Sequence, residues 1–416
     1  MPKTILILGA SYAGTATAHY ALKHTIPSLP DPSSFEVVLV APSRHALCRP
    51  ATPRALLSDD FFDQDKLFID VEQQFKQYGE RFRFVHGRAT RLDTEGRVVS
   101  VELVKDAGEG EVTLEVAYHA LIIATGSSTP SPLHGLNSSG RDELRAHWTA
   151  FRAALPSAKT IVIAGGGPAG IETAGELGEY LNGRAGWFSS KLENPKVKLT
   201  VVSREEKILP LLRPSIAQTA EGFLAKVGVD VIRGVSVDSV SPPDGGRGEG
   251  GSLTAKTEVK LSNGQTLAAD LYIPAYGTIP NTGFVPEGLR AENGRVETNP
   301  QTLRVEKAGE RVYAVGDASN YARPAVHLIM EVIPVLAANI KRDLLRAAGE
   351  SPSGEDRVFK EDKREMQFVP IGRSKGVGAA MGFRVPSLLV WLIKGRDYFV
   401  SMAGKMWNGQ HWAKET

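Results

Sequence analysis

Apolar positions along this chain fall into short continuous runs separated by stretches with helical spacing. Residues 4–8 and 35–40 are two such runs. Between them lie a stretch with helical spacing at 13–24 and a Pro/Ser-rich loop at 27–34, so the opening reads as strand, helix and parallel strand. A helix is predicted over 61–78. Short strands at 82–92, 97–104 and 112–117 have turn residues between them, as in a small antiparallel insert. The run Leu121 to Ala124 is another buried strand, and 141–155 a helix. The opening pattern then recurs, with strand 160–164, helix 168–183 and strand 197–202. Helix 214–227, strand 229–233 and strands near 236–240 and 252–261 follow. The Pro/Gly-rich stretch Ser241 to Ser252 between the last two reads as a mobile hairpin loop. Strand 270–274 closes this part at Gly277. After 311–315, a further strand, a helical pattern runs from Pro324 to Arg346. Pro334 lies inside it and predicts a kink or restart, because proline lacks the N–H and clashes with the preceding turn. A polar linker at 349–358 leads to a tail, 366–416, with strands near 366–371 and 376–382 and an apolar segment from 385 to 400.

The two repeated units share a local chemistry. Ile5 to Leu8 runs into Gly9-Ala10-Ser11-Tyr12-Ala13-Gly14, and Ile161 to Ala164 into Gly165-Gly166-Gly167-Pro168-Ala169-Gly170. A glycine turn between strand and helix lets backbone approach a pyrophosphate, and the helix N-terminus offers it unpaired N–H groups and partial positive charge. The second turn is an intact GxGxxG, with Gly165, Gly167 and Gly170 at the required spacing. The first keeps Gly9 and Gly14 but has Ser11 in the middle. The acid expected after the next strand, to bond a ribose, is absent from both: Ala41-Pro42 follows Val40, and Ser203-Arg204 follows Val202. A hydroxyl and a guanidinium suit a 2′-phosphate, which points to NADPH, with NADH still open. The alternative is that Arg204 is a solvated loop residue. Two nucleotide sites in one chain imply electron transfer between the nucleotides.

Gly9 and Gly165 stand 156 residues apart. Either one nucleotide domain is inserted in the other or the two are in tandem; insertion predicts that the chain returns to its first unit after residue 277. The expected fold class is α/β, with two Rossmann-like dinucleotide-binding domains and a small α+β C-terminal domain. The division is 1–155 with 278–348, then 156–277, then 349–416.

Composition narrows the partners. The 416 residues are 42% hydrophobic and 23% charged, with a net charge of +2, which gives no case for nucleic acid. Cys48 is the single cysteine, so a zinc knuckle and a CxxC redox pair are excluded within one chain, and no metal site is expected. No signal-peptide pattern opens the chain, Pro2 excludes N-myristoylation, and no apolar run is long enough to span a bilayer. A cytoplasmic protein is expected, with peripheral membrane contact left open.

The order GxSxxG, Ala120 to Ser127 (ALIIATGS), GGGPAG, Ile273 to Asn281 (IPAYGTIPN) and Val312 to Asp317 (VYAVGD) resembles the two-dinucleotide-domain flavoprotein disulfide-reductase superfamily. Within it, Pro50 to Ala55, Gly372 to Gly378 and Lys394-Gly395-Arg396-Asp397 are similar to the apoptosis-inducing-factor-like, ferroptosis-suppressor (AMID) group. The resemblance covers essentially the whole chain. It implies non-covalent FAD, reduction by NADPH or NADH, and delivery of electrons to a quinone or another small-molecule acceptor. It places the FAD pyrophosphate on Gly9, Ser11, Tyr12, Ala13 and Gly14, and the adenine on backbone at Ala89. Arg54 would contact FAD, Ala124-Thr125-Gly126 would pack beside it, and Asp317 would bind the ribityl chain. Glu172 matches an acid near the nicotinamide and is the catalytic candidate; a helix-cap charge is the plainer reading.

Three features keep two readings each. Cys48 is a gap-filling side chain or a redox thiol, and the second would make the protein a peroxide or disulfide reductase. The segment 385–400 is a membrane-interface or quinone-tunnel element, or else core packing or a homodimer face. The scaffold as a whole is also consistent with a specialised-metabolism oxidoreductase acting on a dedicated small molecule, or with a non-enzymatic sensor of NAD(P)H.

Overall fold

The computed structural model describes residues 2–104, 112–137 and 140–415. The first glycine turn belongs to a seven-stranded sheet ordered Val312–Ala314, Ala120–Ile123, Lys3–Leu8, Phe35–Ala41, Phe82–Asp93, Val98–Leu103, Thr113–Ala117. The first five pair in parallel and the last two antiparallel. Ile5, Ile7, Val37 and Leu39 face one core, and Leu6, Leu8, Val38 and Val40 the other. Burial on both faces is why these runs are continuously apolar instead of alternating. Val312–Ala314, which lies after residue 277, joins this sheet next to Ala120–Ile123.

The second glycine turn follows the strand Thr160–Ala164 in a four-stranded parallel sheet with Val229–Ile232, Lys198–Val202 and Leu271–Pro274. An antiparallel three-stranded sheet, Val237–Ser241, Thr257–Leu261 and Thr266–Ala269, packs on one face of it, with Val259, Leu261 and Ala269 against Val162, Ala164, Val202 and Tyr272. Two connectors join the large sheets: Ser127–Ser128 pairs with Ile279–Pro280. The tail forms its own antiparallel sheet, Gln367–Ile371, Lys375–Ala380 and Phe383–Arg384, followed by the helix Ser387–Val390, a π-turn Trp391–Gly395 and the helix Val400–Trp407.

Several expectations need correction. The stretch 61–78 is not one helix: the short helices Gln64–Leu67 and Val71–Phe75 flank a strand, Phe68–Asp70, that pairs with His45–Leu47. The partner strand supplies the backbone bonds that a longer helix would otherwise have made. Pro334 neither breaks nor restarts its helix, which runs from Val326 to Ala347. Buried side chains from Leu328 to Leu344 hold it on both sides of the proline. The strand expected from 252 begins only at Thr257, because Glu249–Thr254 forms a 3₁₀ turn. Among the described residues, no helix is long and apolar enough to cross a membrane.

Candidate functional site

Each glycine turn is shaped by one close backbone approach. Gly9 has φ +107°, and a Cβ there would lie 2.3 Å from the carbonyl oxygen of Ala124. Gly165 has φ +134°, with its Cβ position 2.3 Å from the carbonyl of Ala275. Only glycine fits such a conformation and such a contact. The helices that follow, Tyr12–Tyr20 and Pro168–Asn182, have no side-chain cap on their first N–H groups. Those groups need an acceptor from elsewhere.

A cavity of about 900 Å³ opens over the first turn, near the upper end of the ~300–1,000 Å³ typical of cofactor sites. Ser11, Tyr12 and Ala13 line it at the uncapped helix end, with Gly9 beside them. Ala41, Ala89 and Glu102 line one end. Ala124, Thr125, Gly126 and Asp317 line the middle, and Pro168, Ala169 and Glu172 bring in the second unit. Val326, Ile329 and Lys394 close the remaining wall.

Side chains around this space are held by bonds across distant parts of the chain. Asp317 sits in the 3₁₀ turn after Val312–Ala314 and accepts from Ser127 Oγ at 2.9 Å. Thr125 Oγ1 donates to the carbonyl of Asn281 at 2.7 Å, and Asn281 Nδ2 donates back to that of Thr125 at 3.0 Å. Arg49 lines the cavity beside Asp317 and donates to the carbonyls of Ser127 and His134 at 3.1 and 3.2 Å. Glu172 is buried, and Lys394 Nζ donates to its Oε1 and to the carbonyl of Phe368. Burial pushes the Glu172 carboxyl up to about 7, against the attraction of Lys394.

These observations test whether FAD fits. An uncapped helix end beside Ser11 offers N–H and hydroxyl donors for a pyrophosphate. Asp317 offers an acceptor for polyol hydroxyls, and the cavity is long enough to reach from Ala41 to Lys394. The residues present fit the group.

The expected site residues divide into two sets. Gly9, Ser11, Tyr12, Ala13, Ala89, Ala124, Thr125, Gly126, Glu172 and Asp317 meet in this one cavity, while Gly14 packs beneath the turn against the carbonyl of Gly9. Gly165, Gly167 and Gly170 form the second turn outside the lining, with Pro168 and Ala169 bridging the two. Arg204, with its side chain 81% exposed, sits just past the end of Lys198–Val202 and pairs with Glu205.

Arg54 departs from the expectation. It lies outside the cavity lining and is bonded in two places to Glu176, at 2.7 and 3.0 Å, with Tyr398 Oη on the same carboxylate. It thereby ties the tail to the helix Pro168–Asn182; the arginine beside Asp317 is Arg49. Sequence reasoning missed Arg49 and the role of Lys394, although a lysine directly after the apolar run Leu388 to Ile393 was a usable signal.

Cys48 is buried next to Tyr12, whose hydroxyl donates to Sγ at 3.6 Å, and burial pushes the thiol up to about 11. A thiol held protonated and covered is a poor nucleophile.

Residues 3–336 match the family model described as pyridine nucleotide-disulphide oxidoreductase. Over 414 residues the chain is 57% identical to oxidoreductase phnG of Penicillium herquei, covering 99% of this chain and 97% of that one. It is 26% identical to human ferroptosis suppressor protein 1, over 96% of this chain and 95% of that one. Among solved structures, NDH2 of Plasmodium falciparum in complex with NADH superposes with a TM-score of 0.65 at 12% identity, covering 100% of this chain and 99% of that one, a likeness of fold. The chain therefore belongs to the pyridine nucleotide-disulphide oxidoreductase family, whose members are FAD-dependent and use NAD(P)H.

Proposed function

We propose that this oxidoreductase takes hydride from NAD(P)H onto FAD and passes the electrons to a small apolar acceptor of the quinone type. The observation that carries the reading is a cavity in which the first glycine turn, the start of the second unit's helix and the tail's Lys394 meet. FAD, when bound, supplies a ring that accepts hydride and releases electrons to a second substrate. Every other task falls to side chains. Residues 1–155 with 278–348 hold the resident dinucleotide, 156–277 the exchanging one, and 349–416 cover the acceptor side.

In this reading Ser11 and the N–H groups of the first helix hold the pyrophosphate, and Ala89 backbone faces the adenine. Asp317, oriented by Ser127, holds the ribityl hydroxyls. Gly165, Gly167 and Gly170 let the nicotinamide nucleotide approach, and Arg204 reaches a 2′-phosphate. Glu172 and Lys394 keep one exchangeable proton between them beside the reacting ring, which a reduced quinone needs. Val326 and Ile329 give that end an apolar wall, and Leu388, Leu389, Leu392 and Met402 extend an exposed apolar surface over the neighbouring tail.

The test is anaerobic titration of the FAD-loaded protein with NADPH and NADH, followed by a short-chain quinone. Bleaching of the flavin band by the nucleotide and its return with quinone are expected. A flavin that is reduced yet never re-oxidised by any quinone sinks the acceptor assignment and favours a dedicated small molecule instead.

A further inference from the structure

The helix Pro168–Asn182 ends at Gly183, and the chain takes a long excursion before the strand Lys198–Val202. That excursion is anchored at two points on the end of the helix Pro214–Ala225: Ala185 N donates to the carbonyl of Lys226 at 2.8 Å, and Leu192 N to that of Ala225 at 2.9 Å. Between the anchors, Ser189 N donates to the carbonyl of Gly186 at 3.1 Å, which closes a tight turn. Its two central residues are Trp187, 86% exposed, and Phe188, fully exposed. Turn centres ordinarily carry Gly, Pro, Asn, Asp or Ser, which supply the backbone geometry without burying anything. Two adjacent aromatic rings held out in water contribute nothing to folding, and unlike scattered surface apolars they form one projecting tip.

The charge around the tip is predominantly positive. From Gly183 to Lys198 there are Arg184, Lys191, Lys196 and Lys198 against the single acid Glu193, a net of plus three, where the whole chain carries +2. Arg184 is spent on Glu179 at 2.8 Å, and Lys191 approaches Glu193 at 3.5 Å. Lys196 and Lys198 are exposed, and Lys226 Nζ reaches back to the carbonyl of Trp187 at 3.5 Å.

We infer that the Trp187–Phe188 tip is a docking element for an anionic lipid surface. Aromatic rings settle at the headgroup level of a bilayer, and flanking lysines are drawn to acidic headgroups. The tip stands apart from the chemistry, because the helix rises about 15 Å from Glu172 to Asn182 before the excursion begins, and neither Trp187 nor Phe188 lines the cavity. It therefore brings the enzyme to a surface without taking part in electron transfer, and it does not depend on the acceptor proposed above.

The experiment is flotation of the FAD-loaded protein with vesicles of phosphatidylcholine alone or mixed with phosphatidylserine. Wild-type protein is expected to float with the mixed vesicles and to be released by added salt, which screens exposed charges. The double variant Trp187→Ser with Phe188→Ser, and separately Lys191→Glu with Lys196→Glu, are each expected to bind about tenfold or more weakly. Both should keep wild-type NAD(P)H oxidation with a soluble quinone. The inference is overturned if wild-type protein ignores phosphatidylserine, or if the aromatic double variant floats as well as wild type. It is also overturned if light scattering shows a dimer that the aromatic variant dissolves, since the tip would then be covered by a second copy of the chain.

Discussion

Glu172→Gln makes the sharpest test of the cavity's electrostatics. The wild-type carboxyl ordinarily titrates near 4.5 and is pushed to about 7 by burial in the fold. Between those values the folded protein keeps a proton that the unfolded chain has released. Stability from this group is thus fully present below about 4.5 and is lost as pH rises through about 7. At about 1.4 kcal/mol per pH unit, the loss sums to ~3 kcal/mol. Glutamine has nearly the same shape and stays neutral throughout, so it lacks this slope. The stability difference between wild type and variant should therefore swing by about 3 kcal/mol in the variant's favour between pH 4.5 and pH 8. Urea unfolding of the FAD-loaded proteins at a series of pH values, extrapolated linearly to water, reads the difference directly. Taking the difference cancels the titrating groups that do not interact with Glu172, leaving this carboxyl and the groups coupled to it, Lys394 first. A difference that stays flat across this range would refute the idea that burial outweighs Lys394 at Glu172. If Lys394 dominated, the carboxyl would ionise below its ordinary 4.5, and a swing of opposite sign would lie below pH 4.5 instead.

Two further outcomes follow from the same geometry. Cys48→Ser should leave quinone-dependent NAD(P)H oxidation at the wild-type level, because the thiol is buried, held protonated up to about 11 and lacks a second cysteine to pair with; loss of turnover would revive the peroxide or disulfide reductase reading. Gly9→Ala should release FAD and cost about 3 kcal/mol or more, since its Cβ would lie 2.3 Å from the carbonyl of Ala124 at a φ of +107°; flavin content and the melting temperature check it.

Much of the fold was legible because its signals are local. A run such as Ile5 to Leu8 is continuously apolar because both faces of its strand are covered, and that shows in the letters alone. The prediction for 61–78 failed for the complementary reason. Its helical spacing was real, but the strand Phe68–Asp70 exists through pairing with His45–Leu47, more than 20 residues earlier, and no local pattern carries a partner's register.

The site divides along the same line. Gly9, Gly14, Gly165 and Gly170 could be read directly from their spacing in a strand–turn–helix unit, and Gly14 and Gly170 are required locally by the carbonyls of Gly9 and Gly165, whereas the approaches of Gly9 to Ala124 and Gly165 to Ala275 come only with the folded sheets. Asp317 ends the strand motif Val312 to Asp317, which became informative only through its order with the two glycine turns and the resemblance they carry. Arg49 and Arg54 lie five residues apart in one short helical segment, and nothing in their neighbourhood says which of them faces the cavity. Glu176, 122 residues away, decides that by binding Arg54 and leaving Arg49 beside Asp317. Lys394 likewise becomes a cavity residue only through Glu172, 222 residues away, with both side chains buried. Backbone geometry is written residue by residue into the chain. The pairing of buried charges belongs to the packed molecule, because exclusion of water is what forces each charge to find its partner.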